Sequence, residues 1–227
     1  MSIAEPVSPR WERRYREVLD AAATIFANKG YAAASTRDIA ERLSVRQASL
    51  YYYFPSKEAA LAAICELGVK DFIVNLRGIL EQPIDTTAKL RAAIANHLSP
   101  LRSRPEADYI RVFLHHRHEL PSGLRQSIAT LARAYQSLIE RLFAEGLAAN
   151  ELRSDLDPGL ATLALLGLCN SVISNRALPR SSSIDDIIDE YARIFVSGVA
   201  AEPRVDSARR GERSGTPKKR APRGARS

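Results

Sequence analysis

Apolar residues return every three or four positions through almost the whole chain, and this spacing limits the possible folds more than any other feature. From Leu124 the series Leu124, Ile128, Leu131, Tyr135, Leu138, Leu142 steps by four, three, four, three and four, which lays one stripe along one face of a 3.6-residue helix. Alternating runs of β-branched residues, the mark of a half-buried strand, are missing. The expectation is an all-α fold of about nine helices. With 227 residues, 45% of them hydrophobic, the chain can bury one sizeable core or two small ones.

Caps and breakers divide this pattern. A stripe from Trp11 to Phe26 closes on Lys29-Gly30, a basic last turn followed by a glycine stop. Ser35 with Asp38 three residues on reads as a capping box, opening a short helix that turns Ile39, Ala40 and Leu43 inward. A turn of Ser44, Val45 and Arg46 then leads to a helix expected over 47–54, stopped by Pro55. Two short helices so joined have the dimensions of a helix-turn-helix. Ser56 can cap a long helix to about Leu80, and further helices are expected at about 86–101, 106–118 and 122–149, with Pro100, Pro105 and Pro121 as punctuation. Asp157-Pro158 opens a helix without charges, and Ser183 with Asp186 is a second capping box before a last apolar face.

Within the second short helix stand Tyr51, Tyr52, Tyr53 and Phe54 in a row. Successive helical side chains turn by about 100°, so three consecutive tyrosines cannot all face one core. Leu50 and Phe54, four apart, take the inward face, and at least one large ring is left in solvent. Exposed rings beside Arg46, Gln47 and Lys57 point to a partner, and a helix-turn-helix fits the DNA major groove. Gln47 suits adenine and Arg46 guanine, while tyrosine hydroxyls and Lys57 suit phosphates.

The stretch "VLDAAATIFANKGYAAASTRDIAERLSVRQASLYYYFPSKEAAL" resembles the tetracycline-repressor-type (TetR family) transcriptional regulators. The resemblance rests on Phe26 to Gly30-Tyr31, on Thr36 with Ile39-Ala40, and on Leu50-Tyr51-Tyr52 with Phe54, Ser56, Lys57 and Glu58. It implies that Thr36, Arg37, Arg46, Gln47, Ala48, Ser49 and Tyr51 face the groove and that Tyr52, Tyr53 and Lys57 grip phosphates. Two residues depart from the family's pattern. Ser44 stands where a turn glycine is common, at a cost of about 1 kcal/mol if that residue must be left-handed, and Tyr53 replaces a common histidine. The resemblance further implies a helix-turn-helix domain over 10–55 and a helical domain over 56–201 that dimerises and binds a small molecule, with a palindromic operator as target. The stretch "EGLAANELRSDLDPGLATLALLGLCNSV" resembles family members that answer to acyl-coenzyme A thioesters, although Asn170 is followed here by Ser171, Val172 and Ile173 rather than aromatic residues.

Candidate pocket residues are Phe72, Leu76, Leu98, Tyr109, Phe113, Tyr135, Leu138 and Leu142, with His116 and Arg117 as polar anchors; the same spacing would serve a plain core. A dimer face is expected on the last two helices, through Leu163, Leu166, Gly167, Ile188, Tyr191 and Phe195. The clustered His115, His116, His118 and Glu119 raise a metal site as a rival, but His116 turns about 100° away from its neighbours on a helix. Phosphate loops and catalytic signatures are absent, so neither an enzyme nor a cofactor is expected. Cys65 and Cys169 are isolated, no apolar run reads as a membrane span, and a cytoplasmic protein is expected. From Glu202 onward nine Lys and Arg oppose three carboxylates, which places +6 of the chain's +7 charge in the tail 202–227. That composition reads as a disordered polyanion-seeking segment, and it keeps an architectural DNA-binding protein without an effector open as a further alternative.

Overall fold

The computed structural model describes residues 8–174 and 182–201. The tail expected to be disordered lies outside the described residues. Nine α-helices run in order among them: α1 (Pro9–Lys29), α2 (Thr36–Leu43), α3 (Gln47–Leu50), α4 (Lys57–Leu80), α5 (Thr86–Leu98), α6 (Arg104–His116), α7 (Ser122–Ala148), α8 (Pro158–Ser174) and α9 (Ile184–Val199). A single antiparallel bridge, Leu152 with Ala200, straps the α7–α8 connection to the end of α9.

Local capping chemistry sets the starts. The Ser35 and Ser183 boxes are both closed, each serine accepting from the amide three residues on while Asp38 or Asp186 accepts from the cap's own N–H. Ser8, Ser56 and Asp85 cap α1, α4 and α5 singly, each side chain accepting from the amide three residues on. Gly30 ends α1 at φ 81°, and Ser44 ends α2 in the left-handed region at φ 54°, ψ 40°.

Three boundaries differ from the periodicity. The helix expected over 47–54 stops at Leu50; residues 51–53 form a turn in which both Tyr53 N and Phe54 N donate to Leu50 O, at 2.8 and 3.0 Å. Pro55 disfavours helical backbone at Phe54, and a run of bulky aromatics has little propensity to resist it. Beyond Leu98 the chain tightens into a 3-10 turn, Ser99–Arg102. Pro105 does not break α6 but sits in its first turn, where its missing N–H costs nothing.

The buried side chains form two clusters. One gathers α1, α2, Leu50, Phe54 and the first half of α4 around Leu19, Phe26, Ile39 and Ile64. The other gathers the rest of α4 with α5, α7, α8 and α9 around Leu76, Leu90, Ile139, Phe143 and Leu165. Helices α4 and α6 serve both: Leu61 and Val112 belong to the first, Leu76 and Ile110 to the second.

Candidate nucleic-acid interface and effector cavity

Leu50 and Phe54 are buried against Ile39 as their spacing requires, and this anchors α3 with its other face free. Gln47 Nε2 donates to Thr36 Oγ1 at 2.7 Å, tying the start of α3 to the start of α2. Arg46, Ala48 and Ser49 are exposed. Arg37 is exposed too and pairs with Glu41 at 2.9 Å, a surface contact weak enough to yield to a phosphate. Tyr52 is 71% and Tyr51 52% exposed, so two large rings stand in solvent beside these polar groups. Tyr53 is half-buried instead, its ring 6.1 Å from Trp11 and edge-on to Tyr52 at 5.2 Å.

Lys57 sits differently from its expected place. Its ammonium donates to the carbonyls of Tyr31 at 2.8 Å and Ala34 at 2.9 Å and lies over the Tyr31 ring, so it closes the α1–α2 loop rather than reaching outward. Asp38 completes the same corner. Lys29 and Ser35 hold its carboxyl down at about 2, well below the usual carboxylate range.

The helical bundle above contains two cavities. The outer one, of about 580 Å³, is bounded by α1, α4, α5 and α6 and lined by Arg16, Asp20, Asp71, Asn96, Glu106 and Tyr109 among others. The inner one, of about 170 Å³, is walled by Val69, Phe113, Leu114 and Leu166. Phe72 and Ile110 line both. Of the expected pocket residues, Phe72, Tyr109, Phe113, Arg117 and Tyr135 border a cavity. Leu76, Leu98 and Leu142 are fully buried core instead, because the inward face of a long helix meets other helices along most of its length. Leu138 packs half-buried on the same core.

His116 lies away from both cavities and bonds Glu119 through Nδ1 at 2.7 Å. Among the described residues no three His, Cys, Asp or Glu side chains are grouped to hold a metal ion. Among the polar cavity residues that periodicity did not single out are Asn96, His97 and Asn170. Their one sequence signal is that each interrupts an otherwise apolar helical face. His97 Nδ1 lies 3.0 Å from Tyr135 Oη and Nε2 lies 3.1 Å from Asn170 Oδ1. Burial pushes the imidazole down to about 4, so it is neutral at physiological pH.

On the outside, Leu160, Leu163 and Ile194 are 68%, 57% and 55% exposed, and a side chain placed at Gly167 or Gly198 would meet nothing within 4 Å. Leu163 and Gly167 thus face outward. Ile188 is buried in the protomer's own core instead, and Tyr191, Phe195 and Leu166 are half-buried against it.

Two family models match the chain: bacterial regulatory proteins, tetR family, over residues 18–64, and tetracyclin repressor-like, C-terminal domain, over residues 83–199. The fatty acid metabolism regulator protein of Bacillus subtilis is 24% identical over 187 residues, 82% of this chain and 95% of that protein. The HTH-type transcriptional repressor KstR2 of Rhodococcus jostii is 26% identical over 191 residues, 83% of this chain and 92% of that protein. Among solved structures, AibR in complex with isovaleryl coenzyme A and operator DNA superimposes with a TM-score of 0.71 at 23% identity, covering 80% of this chain and 97% of that one.

Proposed function

Because this chain belongs to the tetR family of bacterial regulatory proteins, we propose that it is a homodimeric, sequence-specific repressor that grips a palindromic operator and is released by a small apolar or acyl-thioester effector. Residues 10–55 read DNA; residues 56–201 dimerise and hold the effector. The observation that carries the DNA half is the free face of α3, where exposed Arg46, Ser49, Tyr51 and Tyr52 surround a Gln47 already fixed by Thr36. A side chain held in place before binding loses less entropy on meeting a base edge. Base readout falls to Gln47 and Arg46, and Tyr51, Tyr52 and Arg37 take phosphates.

Support for the effector half comes from the cavities and from the names of the relatives, which regulate fatty acid metabolism in one case and were solved with isovaleryl coenzyme A in another. The coupling follows from shared elements. Phe72 and Ile110, at the cavities, lie on the same α4 and α6 that contribute Ile64 and Val112 to the core beneath the DNA-reading face. A ligand that moves these helices alters the spacing of the two recognition helices on the operator, and by linkage the operator must weaken the ligand equally.

Selection of bound sequences from random duplex DNA at near-physiological salt tests the reading, with wild type beside the double variant Gln47→Ala, Tyr51→Ala. One palindrome is expected from wild type and none from the variant. If wild type binds DNA in a salt-dependent way without enriching a sequence, an architectural role replaces the repressor.

A further inference from the structure

The two cavities are separated by little more than two side chains, and their linings differ in kind. Phe72 stacks on His97 at 5.5 Å and leans on Tyr135 at 5.7 Å, so one ring forms both the floor of the outer cavity and the lid of the inner chamber. The outer cavity offers three carboxylates, Asp20, Asp71 and Glu106, against one cation, Arg16, together with amide and hydroxyl groups such as Asn75 and Ser99. Such a lining disfavours phosphate and accepts neutral amide N–H groups. The inner chamber is mostly apolar, and Arg117, Gln136, His97, Tyr135 and Asn170 supply its polar groups.

One end is Arg117, whose Nη1 donates to the Phe113 and Leu114 carbonyls at 3.0 and 3.1 Å, capping α6 with the guanidinium over the Phe113 ring. The other end is Asn170. Its Oδ1 only accepts, so His97 Nε2 bears the ring hydrogen and Nδ1 accepts from the Tyr135 hydroxyl. This relay leaves the Asn170 Nδ2 hydrogens without a protein partner among the described residues, at the wall of a mostly apolar chamber. A donor at a cavity wall is available to a carbonyl oxygen of a bound ligand.

We propose that the inner chamber recognises the acyl group of a short-chain thioester, with Asn170 Nδ2 donating to the thioester carbonyl and Phe72 standing between the chamber and the outer cavity. Since about 30 Å³ is the share of one water-sized group, 170 Å³ holds roughly six, which matches an acyl chain of about four to six carbons. The sulfur then points past Phe72 into the outer cavity, where a neutral amide-bearing arm finds its acceptors and the charged remainder of the carrier stays in solvent. His97 and Tyr135 act as positioning residues that hold the Asn170 amide. The inference rests on the effector reading above.

Calorimetric titration of the full-length protein with acetyl-, isovaleryl- and palmitoyl-coenzyme A and with free isovalerate tests it. Wild type is expected to bind the isovaleryl thioester at least about tenfold tighter than either of the other thioesters or the free acid. Asn170→Leu, which keeps the volume and removes the donor, is expected to lose about tenfold or more for the isovaleryl thioester. Ala132→Leu fills the chamber without touching the relay and should shift the preference toward acetyl. Palmitoyl binding as tight as isovaleryl, free isovalerate binding better than its thioester, or unchanged affinity in Asn170→Leu each overturns the inference while leaving an effector-responsive regulator standing. If no thioester binds wild type that still selects its operator, the acyl-thioester reading falls with it.

Discussion

Ser44 holds φ 54° and ψ 40° with an ordinary side chain, in the turn between α2 and α3. A left-handed backbone costs an L-residue about 1 kcal/mol relative to glycine, and Ser44 N is held there by the Ala40 and Glu41 carbonyls. Ser44→Gly is therefore expected to stabilise the protein by up to about 1 kcal/mol, read as a higher urea midpoint, and a lower midpoint would show that the serine itself contributes. His97 makes a second residue-scale prediction through pH. Unfolded, the imidazole titrates at its ordinary 6.5; buried, it titrates at about 4. Between these values the unfolded chain binds a proton that the native chain does not, so stability is complete above 6.5 and falls as pH is lowered toward 4. Carboxylates titrate near the lower end too, and the comparison with His97→Gln removes them. The loss in urea midpoint between pH 7.5 and 4.5 should be smaller in that variant, and an equal loss would mean that His97 is not buried neutral.

Helix ends show how unevenly the fold can be read from the chain. Starts at Ser35, Ser56 and Ser183 are legible because a cap and the amide that donates to it lie within three residues. The early end of α3 depends on Pro55 acting backward through Phe54, and the periodicity of Leu50 and Phe54 is the same in a helix or in the turn that replaces it. The cavities are less legible still. Their walls come from α1, α4, α5, α6, α7 and α8 at once, and spacing assigns Phe72 and Leu76 alike to an inward face without telling that one meets a void and the other meets atoms. Close approach is equally hidden. Gly146 in α7 lies where an added Cβ would come within 2.9 Å of Leu152 Cγ and nearer still to Thr86 at the start of α5. Gly78, inside α4, has nothing within 4 Å. Alanine at either position gains about 1 kcal/mol of helix propensity, but overpacking costs typically about 1–3 kcal/mol. Gly78→Ala is thus expected to raise the melting temperature and Gly146→Ala to lower it. Equal shifts would mean that Leu152 and Thr86 move aside freely.

At the scale of the molecule, α8 carries no charge from Pro158 to Ser174 although only part of it is buried. Leu160 and Leu163 on α8 and Ile194 on α9 are each more than half exposed, and Gly167 and Gly198 leave open space where a neighbouring backbone could approach. A protomer alone would present these apolar groups to water, and a two-fold contact of two helices from each copy would cover them. The DNA-reading face proposed for α3 would make the same demand independently: one α3 would contact only a few bases, whereas two joined rigidly would read half-sites about one helical turn apart. Leu163 contributes nothing to either core cluster, so Leu163→Arg should leave the helical content and melting of the protomer intact. The buried charge should nevertheless split the dimer in sedimentation and reduce operator affinity by about a hundredfold or more, because the second half-site then binds without the benefit of the first. If Leu163→Arg sediments as a dimer and keeps its operator affinity, the α8–α9 face is not what joins the two readers. Spacing between the recognition helices, and with it any effector's hold on DNA, would then be set elsewhere on the molecule.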